Sequence, residues 1–321
     1  MISDLFMLVL GFLLVCEGGD LFVDSSISIA AGLRIPRAVV GGTIVSLATT
    51  MPELIVSATA SLMKNPGIAL GNAVGSVIAN IGLILGVSVV LVPVEVDGYD
   101  FKRRSIWMMI SALLLILFCR SLYLNRFLAL LLFLGSPAYL YFDHRMIKTH
   151  RSQKTPSVIK VEEPMMSTRK SSLFFSAGAL LVIVGSRILV RSAVGIASTL
   201  GIPSVIIGLT IIAVGTSLPE LVTALTAAKK GVPDLSIGNI IGANVLNLTM
   251  IVGVSGMISP LTLSRSTQLY SFPWLMIFVS LMVSFLWREG RLTRLRGLLL
   301  LGLYFIYIAG LVVMPFILKI G

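Results

Sequence analysis

Read for apolar and polar positions alone, the chain is a series of long apolar runs separated by short polar stretches. A bilayer core of about 30 Å takes about 20 apolar residues per helix. On that ruler ten spans are predicted, at 3–31, 38–62, 68–93, 105–120, 125–142, 171–199, 205–228, 235–259, 268–287 and 296–317. The connections are short except for 143–170, which is polar and basic and divides the chain into 1–142 and 171–321. The pattern predicts an all-α, multi-pass membrane protein.

Composition narrows this further. Of 321 residues 56% are hydrophobic and only 12% charged, and the mean hydropathy is +1.00. A soluble domain carries about 25% charged residues. A water-soluble enzyme, a disordered chain and a nucleic-acid-binding domain are therefore excluded together. Cys16 and Cys119 both fall inside apolar runs, so no disulfide framework or zinc site is expected. The apolar N-terminal stretch has no basic region before it and runs on into a full span, unlike a cleavable signal peptide.

The net charge of +11 changes the picture only through where it falls. Lys and Arg mark cytoplasmic loops. With the N-terminus outside, eighteen of them lie on the inner side, seven in the 143–170 linker, and five on the outer side. The expectation is a cell-membrane protein with both termini outside and a cytoplasmic linker. The excess of cations then reports orientation rather than an acidic partner.

The chain also repeats itself. Shifted by 167 residues, 18–86 matches 185–253 without a gap, with 24 identities in 69 positions. The repeat unit holds five spans, an odd number, so the two copies must be inverted in the membrane. Arg34 and Arg37 mark a cytoplasmic loop in the first copy, and the equivalent loop around Thr199–Ser204 has no charge. Inverted repeats with broken helices typify secondary transporters, whose site lies near the midplane. The expected architecture is thus ten transmembrane helices in two inverted five-helix repeats, broken at the midplane.

The best-matched polar clusters sit inside apolar runs: Thr49-Thr50-Met51-Pro52-Glu53 and Thr216-Ser217-Leu218-Pro219-Glu220. Proline has no N–H and clashes with the preceding turn, so it opens the helix. Backbone carbonyls around Ser46 and Ala213 become available as ligands. Such a break is tolerated only where protein or water lines it. Glu53 and Glu220 sit just beyond it, and each costs at least a few kcal/mol at that depth unless matched by a cation or proton. By pseudo-symmetry they converge on one point. Two carboxylates balance one divalent charge, and hard oxygens suit Ca²⁺. The lack of His and Cys at these motifs disfavours zinc, copper and nickel.

A second cluster follows each glutamate, Gly71–Asn80 and Gly238–Asn247. Ser76 and Asn80 are four apart and share a helical face. Asn80 and Asn247 are expected as neutral ligands. Gly71, Gly75, Gly238 and Gly242 are read as sites of close helix packing. Asn72 and Asn239 fit either a cap of the broken helix or a ligand.

The repeated T-x-x-x-x-x-T-[ST]-x-P-E blocks, each followed by G-N-x-x-G-x-x-x-x-N, resemble the alpha repeats of the calcium/cation antiporter superfamily. The first motif covers 41–86 and the second 208–253. The prokaryotic-type sodium/calcium exchangers are the nearest group. The resemblance implies transport of Ca²⁺ against Na⁺ by alternating access, no enzymatic activity and no cofactor. It implies lipid and the two cations as partners, no nucleic acid, and a monomer. By the same resemblance Glu53, Glu220, Thr49 and Thr216 match calcium-binding positions. Ser46, Thr50, Ser76, Ala213 and Ser217 match positions in or beside the sodium sites.

Two departures stand out. Such exchangers commonly carry Asp where this chain has Asn247 and Ser where it has Ala243. Asn247 cannot carry charge, and the hydroxyl lost at 243 leaves that sodium site to carbonyls and water. Asn at both 80 and 247 resembles the proton-coupled and mitochondrial-type branches, so a proton/calcium exchanger is the alternative and a passive cation channel a weaker one. No Walker-type motif supports an ATP-driven pump.

Glu17, Asp20 and Asp24 in the first span and Arg187 and Arg191 in the sixth are the other charges at depth. The repeat matches Asp20 to Arg187 and Asp24 to Arg191. From their depths only the first pair is within bridging reach. Two readings stay open. The two long helices form a moving element lined by these charges, or the charges snorkel and anchor them.

Overall fold

The computed structural model describes residues 2–33, 35–95, 98–153, 166–199, 213–288 and 290–318. Helices occupy the described part of every span read from the sequence. They are α1 (Ile2–Leu33), α2 (Arg37–Thr49), α3 (Met51–Leu62), α4 (Pro66–Leu91), α5 (Gly98–Phe118) and α6 (Arg126–Gln153). They continue as α7 (Thr168–Thr199), α8 (Ala213–Thr216), α9 (Leu218–Lys229), α10 (Pro233–Ile258), α11 (Phe272–Arg288) and α12 (Arg294–Leu318).

Six of the described helices are long and apolar enough to cross a membrane, or seven if α2 and α3 count as one broken span. The chain is therefore an all-helical, multi-pass membrane protein. Helix α5 falls short on its own because Lys102, Arg103 and Arg104 occupy its first turns. The seventh span is described only from Ala213 onward. Helix α6 runs on to Gln153, into what the sequence marked as linker, and 154–165 lie outside the described residues.

Two compact units divide the chain, 1–49 with 139–240, and 50–138 with 241–321. Each draws on both sequence halves, whereas the polar linker suggested a division along the chain.

In the first unit α1 and α7 lie against each other through glycines. A Cβ on Gly18 would come within 2.7 Å of Leu181 Cβ, and one on Gly178 within 2.7 Å of the Phe22 backbone nitrogen. A Cβ on Gly185 would come within 2.9 Å of Leu14 Cβ and 3.0 Å of the Gly11 carbonyl oxygen. Without side chains at these points the helices approach closely, and the Phe22 and Phe175 rings meet tilted by 34°, their centroids 4.6 Å apart. Phe22, Val23, Ala30, Val40, Val45, Ala227, Val232 and Leu235 form the core of this unit. At the far end Ser28, Ser171 and Met166 close a small hydrogen-bond network that fixes the start of α7 to α1.

The second unit is also packed on small residues. Gly86 faces Leu301 and the Gly297 carbonyl, and Gly82 sits between Phe278 and Tyr304. Gly253 lies on Phe133, and Gly256 on Ala129. Two short antiparallel pairs, which the apolar pattern did not predict, tie helix ends together. They are β1 (Val94–Glu95) with β4 (Arg291–Leu292), and β2 (Tyr123–Leu124) with β3 (Leu261–Thr262). At two residues each, they carry no hydropathy signal.

The outer faces of α1, α7 and α12 stay apolar, with Phe6, Phe12, Leu180, Leu298 and Phe305 exposed. In a chain of this mean hydropathy such faces suit hydrocarbon. By contrast, 83% of the apolar window of α10 and 72% of that of α4 are buried by protein. These two helices carry the Gly-Asn clusters.

Candidate functional site

The repeat places a helix break at the same point of each copy. In the first unit α8 ends at Thr216, Ser217 takes φ −93° and ψ 13°, and α9 begins with Pro219 in its first positions. At the other copy Thr50 takes φ −82° and ψ 0° and α3 begins with Pro52 in the same place. The proline is therefore the start of a new helix, where its missing N–H costs nothing. The first hydrogen bonds of the new helices run from Leu221 N to the Ser217 carbonyl (3.1 Å) and from Leu54 N to the Thr50 carbonyl (3.0 Å).

Restarting the helix puts both glutamates in a first turn. Aligned peptide dipoles there favour a carboxylate. Glu53 and Glu220 are both 0% exposed. The first unit holds Glu220 together with Ser46, Thr49, Ser217 and Asn239, all buried, and half-buried Thr216. The Thr49 hydroxyl lies beside the Glu220 carboxylate. It also donates at 3.2 Å to Asn239 Oδ1 and more distantly to the Ser46 carbonyl. Neither Glu220 oxygen has a hydrogen bond of sound geometry among the described residues. Asn239 thus supports Thr49, which neither expected role described. The backbone of Ala213 opens α8, and nothing is described of its side chain.

The second unit holds Thr50, Glu53, Ser76, Asn80 and Asn247, all buried. Asn72 donates to the Glu53 carbonyl at 3.2 Å and to Ser57 Oγ at 2.9 Å, so it brackets the first turn of α3. Asn80 and Asn247 each begin a widened π turn, Asn80–Leu85 and Asn247–Ile251. Such turns concentrate at functional sites. Asn80 gives its amide N–H to Asn244 Oδ1 at 3.0 Å, and Asn247 gives its own to the Ala243 carbonyl at 2.9 Å. Both donors being used, Asn80 Oδ1 and Asn247 Oδ1 are buried acceptors with no partner among the described residues. The Ala243 carbonyl is thereby engaged by Asn247.

Close packing is borne out at Gly238, where a Cβ would collide with the Ala38 carbonyl; Gly41, which had no such role in the sequence reading, lies as close to the Leu235 carbonyl. Nothing described comes within 4 Å of a Cβ on Gly71 or Gly75.

Several residues at these sites had no role in the sequence reading. Tyr139, 0% exposed, donates to the Gly42 carbonyl at 3.0 Å, within the π turn Gly41–Val45. Asn244 left a signal, a polar residue where its repeat partner is Val77. The charges at depth also pair differently from the repeat's matching. Lys230 binds Asp24 at 2.8 Å and Asp20 at 3.3 Å. A lysine just past α9 reaches these acids, so they need no arginine from α7.

The described fold agrees with the comparisons. A family model described as sodium/calcium exchanger protein matches 3–143 and 170–313. The chain is 30% identical to the sodium/calcium exchanger MaX1 of Methanosarcina acetivorans, over 97% of this chain and 98% of that one. It is 37% identical to the putative antiporter CaxA of Alkalimonas amylolytica, over 81% and 82%. A solved structure of the sodium-calcium exchanger NCX_Mj, soaked with 2.5 mM Na⁺ and 0.1 mM Ca²⁺, superposes with a TM-score of 0.83 at 30% identity. That superposition covers 97% of this chain and 99% of the other. The chain belongs to the sodium/calcium exchanger family.

Proposed function

We propose that this member of the sodium/calcium exchanger family is a secondary antiporter that exchanges Ca²⁺ for Na⁺ by alternating access. Glu53 and Glu220 are its cation-binding carboxylates. Thr49, Thr216, Asn80 and Asn247 supply neutral oxygens for Ca²⁺. Ser46, Thr50, Ser76, Ala213 and Ser217 supply oxygens for Na⁺. The observation that carries this reading is the full burial of both repeat-equivalent glutamates, each in a first helical turn, in a chain of this family.

The chemistry follows from charge balance. Two buried carboxylates without a counter-ion cost several kcal/mol. One Ca²⁺ neutralises them, and so do Na⁺ ions, whose oxygens overlap with those of Ca²⁺. The two cargoes thus compete for one set of ligands. A site that is neutral when loaded can pass an apolar barrier, and an empty doubly negative one resists doing so. That asymmetry enforces exchange and suppresses leak.

Ten helices in two inverted repeats provide the alternating geometry, supported by the ungapped 167-residue repeat and the breaks at Thr50 and Ser217. The glycine contacts between α1 and α7 support their moving as one body. The distribution of Lys and Arg supports termini outside and the 143–170 linker in the cytoplasm.

The test is ⁴⁵Ca²⁺ uptake into proteoliposomes under separately imposed Na⁺ and proton gradients. An outward Na⁺ gradient alone should drive accumulation. Uptake that responds only to the proton gradient would replace Na⁺ by H⁺ as the coupling ion.

A further inference from the structure

Asn80 is useful to a cation only if its amide is turned the right way round. An asparagine side chain offers an acceptor oxygen on one side and two N–H donors on the other, of nearly equal size. The wrong rotamer would aim two partial positive charges at the ion. Something must therefore set its sense.

The neighbours of Asn80 form a directional chain. Asn80 Nδ2 donates to Asn244 Oδ1 at 3.0 Å, and Asn244 Nδ2 donates to the Met108 sulfur at 3.5 Å. All three residues are 0% exposed. A thioether sulfur carries no proton and only accepts. Facing Met108, Asn244 must present its N–H, which leaves its oxygen toward Asn80. Asn80 must then present its own N–H to Asn244, which leaves Asn80 Oδ1 as the buried acceptor with no partner among the described residues. Reversing Asn244 would set oxygen against sulfur and N–H against N–H, and reversing Asn80 would set oxygen against oxygen.

We propose that Met108 and Asn244 are positioning residues for ion binding: the acceptor-only sulfur of Met108, relayed through Asn244, fixes the Asn80 amide with its oxygen toward the transported cation. Met108 comes from α5, a helix that the sequence repeat does not cover. Asn244 breaks the repeat, standing where the first copy has Val77. The device therefore belongs to one side of the pseudo-symmetric pair. The other, Asn247, is oriented by its own helix through the Ala243 carbonyl.

The inference rests on Asn80 Oδ1 being a cation ligand, and the test separates the two claims. The KM for Ca²⁺, the maximal rate and the Tm are measured for the full chain in proteoliposomes, with Met108→Leu, Asn244→Leu, their double variant and Asn80→Ala. Met108→Leu conserves volume and removes the acceptor. It should raise KM about fivefold, the worth of one hydrogen bond, while the maximal rate stays near that of the parent. Asn244→Leu should do the same, and the double variant should add nothing.

If Met108→Leu and Asn244→Leu leave KM unchanged, or lower only Tm, while Asn80→Ala raises KM, the relay is wrong and the site stands. If Asn80→Ala itself leaves KM unchanged, the ligand reading fails and the relay fails with it. Should Asn244→Leu not fold, Met108→Leu alone decides between these outcomes.

Discussion

Asn80 and Asn247 hold the same place in the two copies of the repeat, and each exposes a bare Oδ1, yet their supports differ in kind. Asn247 is tied to the carbonyl one turn back in its own helix, at 2.9 Å. Asn80 is tied across helices to Asn244 and through it to Met108. A local tie forms whenever the helix forms. A cross-helix tie exists only when three elements are packed correctly, so it also reports on that packing. Repeated sequence can thus put the same amide oxygen at both places and leave its orientation to whatever lies next to it. The glutamates extend the comparison, because Glu53 has its backbone bracketed by Asn72 and Glu220 has the Thr49 hydroxyl beside its carboxylate.

The largest effect should come from the glutamates, where the two copies are expected to behave alike. Glu53→Gln and Glu220→Gln each remove one of two charges that balance Ca²⁺. Either should lower ⁴⁵Ca²⁺ uptake about 100-fold or more, equivalent to about 3 kcal/mol of lost ion stabilisation. A variant that retained parental uptake would break the equivalence of the two halves and remove that residue from the site.

Next come the asparagines, where the copies should diverge. Asn80→Ala and Asn247→Ala should each weaken Ca²⁺ binding about tenfold, as a lost ligand oxygen. Only Asn80→Ala strands a second buried side chain, Asn244, whose oxygen then has no donor. That should cost an additional ~1–3 kcal/mol of stability, read as a lower Tm. Equal losses of Tm in both variants would erase the distinction.

Asn247→Asp tests the comparison by charge rather than by deletion. A third carboxylate leaves the Ca²⁺-loaded site with a net negative charge, which a proton can neutralise. The KM for Ca²⁺ should then vary with pH more steeply than in the parent, by about threefold over the range where the new acid titrates. An unchanged pH profile would place residue 247 outside the ion's reach.

Much of the fold was legible because apolar run length is itself the physical constraint on a membrane helix, and α1, α4, α10 and α12 end within about two residues of the expected limits. The breaks were legible from Pro52 and Pro219, since a missing N–H is a backbone fact that any context must respect. What did not show was orientation and partnership. The π turns at Asn80 and Asn247, the Tyr139 bond to Gly42 and the Met108 contact depend on neighbours brought from distant helices. Hydropathy treats Met108 as one more apolar residue and says nothing of its lone pairs.

The ion pairs of Lys230 show the same asymmetry at its weakest, and they supply the smallest predicted effect. Lys230 follows α9 and binds Asp20 and Asp24 of α1, whereas the first copy has Met63 at the matching position. Burial of the ammonium disfavours its charge, but the hydrogen bond and charge of Asp24, helped by Asp20, outweigh this and raise its pKa. A raised lysine pKa stabilises the fold fully below the unfolded value of about 10.4 and loses that contribution only as pH climbs through the higher folded value. The tie should therefore be insensitive to pH near neutrality. Because both acids keep access to water, Lys230→Met, which copies the first half, should lower stability by only about 0.5 kcal/mol. In high salt the difference in Tm between the two proteins should shrink, since screening weakens exposed pairs. A Tm loss several times larger and unaffected by salt would mean that Lys230 contributes through packing of its stem, and that α1 is held to α9 by more than charge.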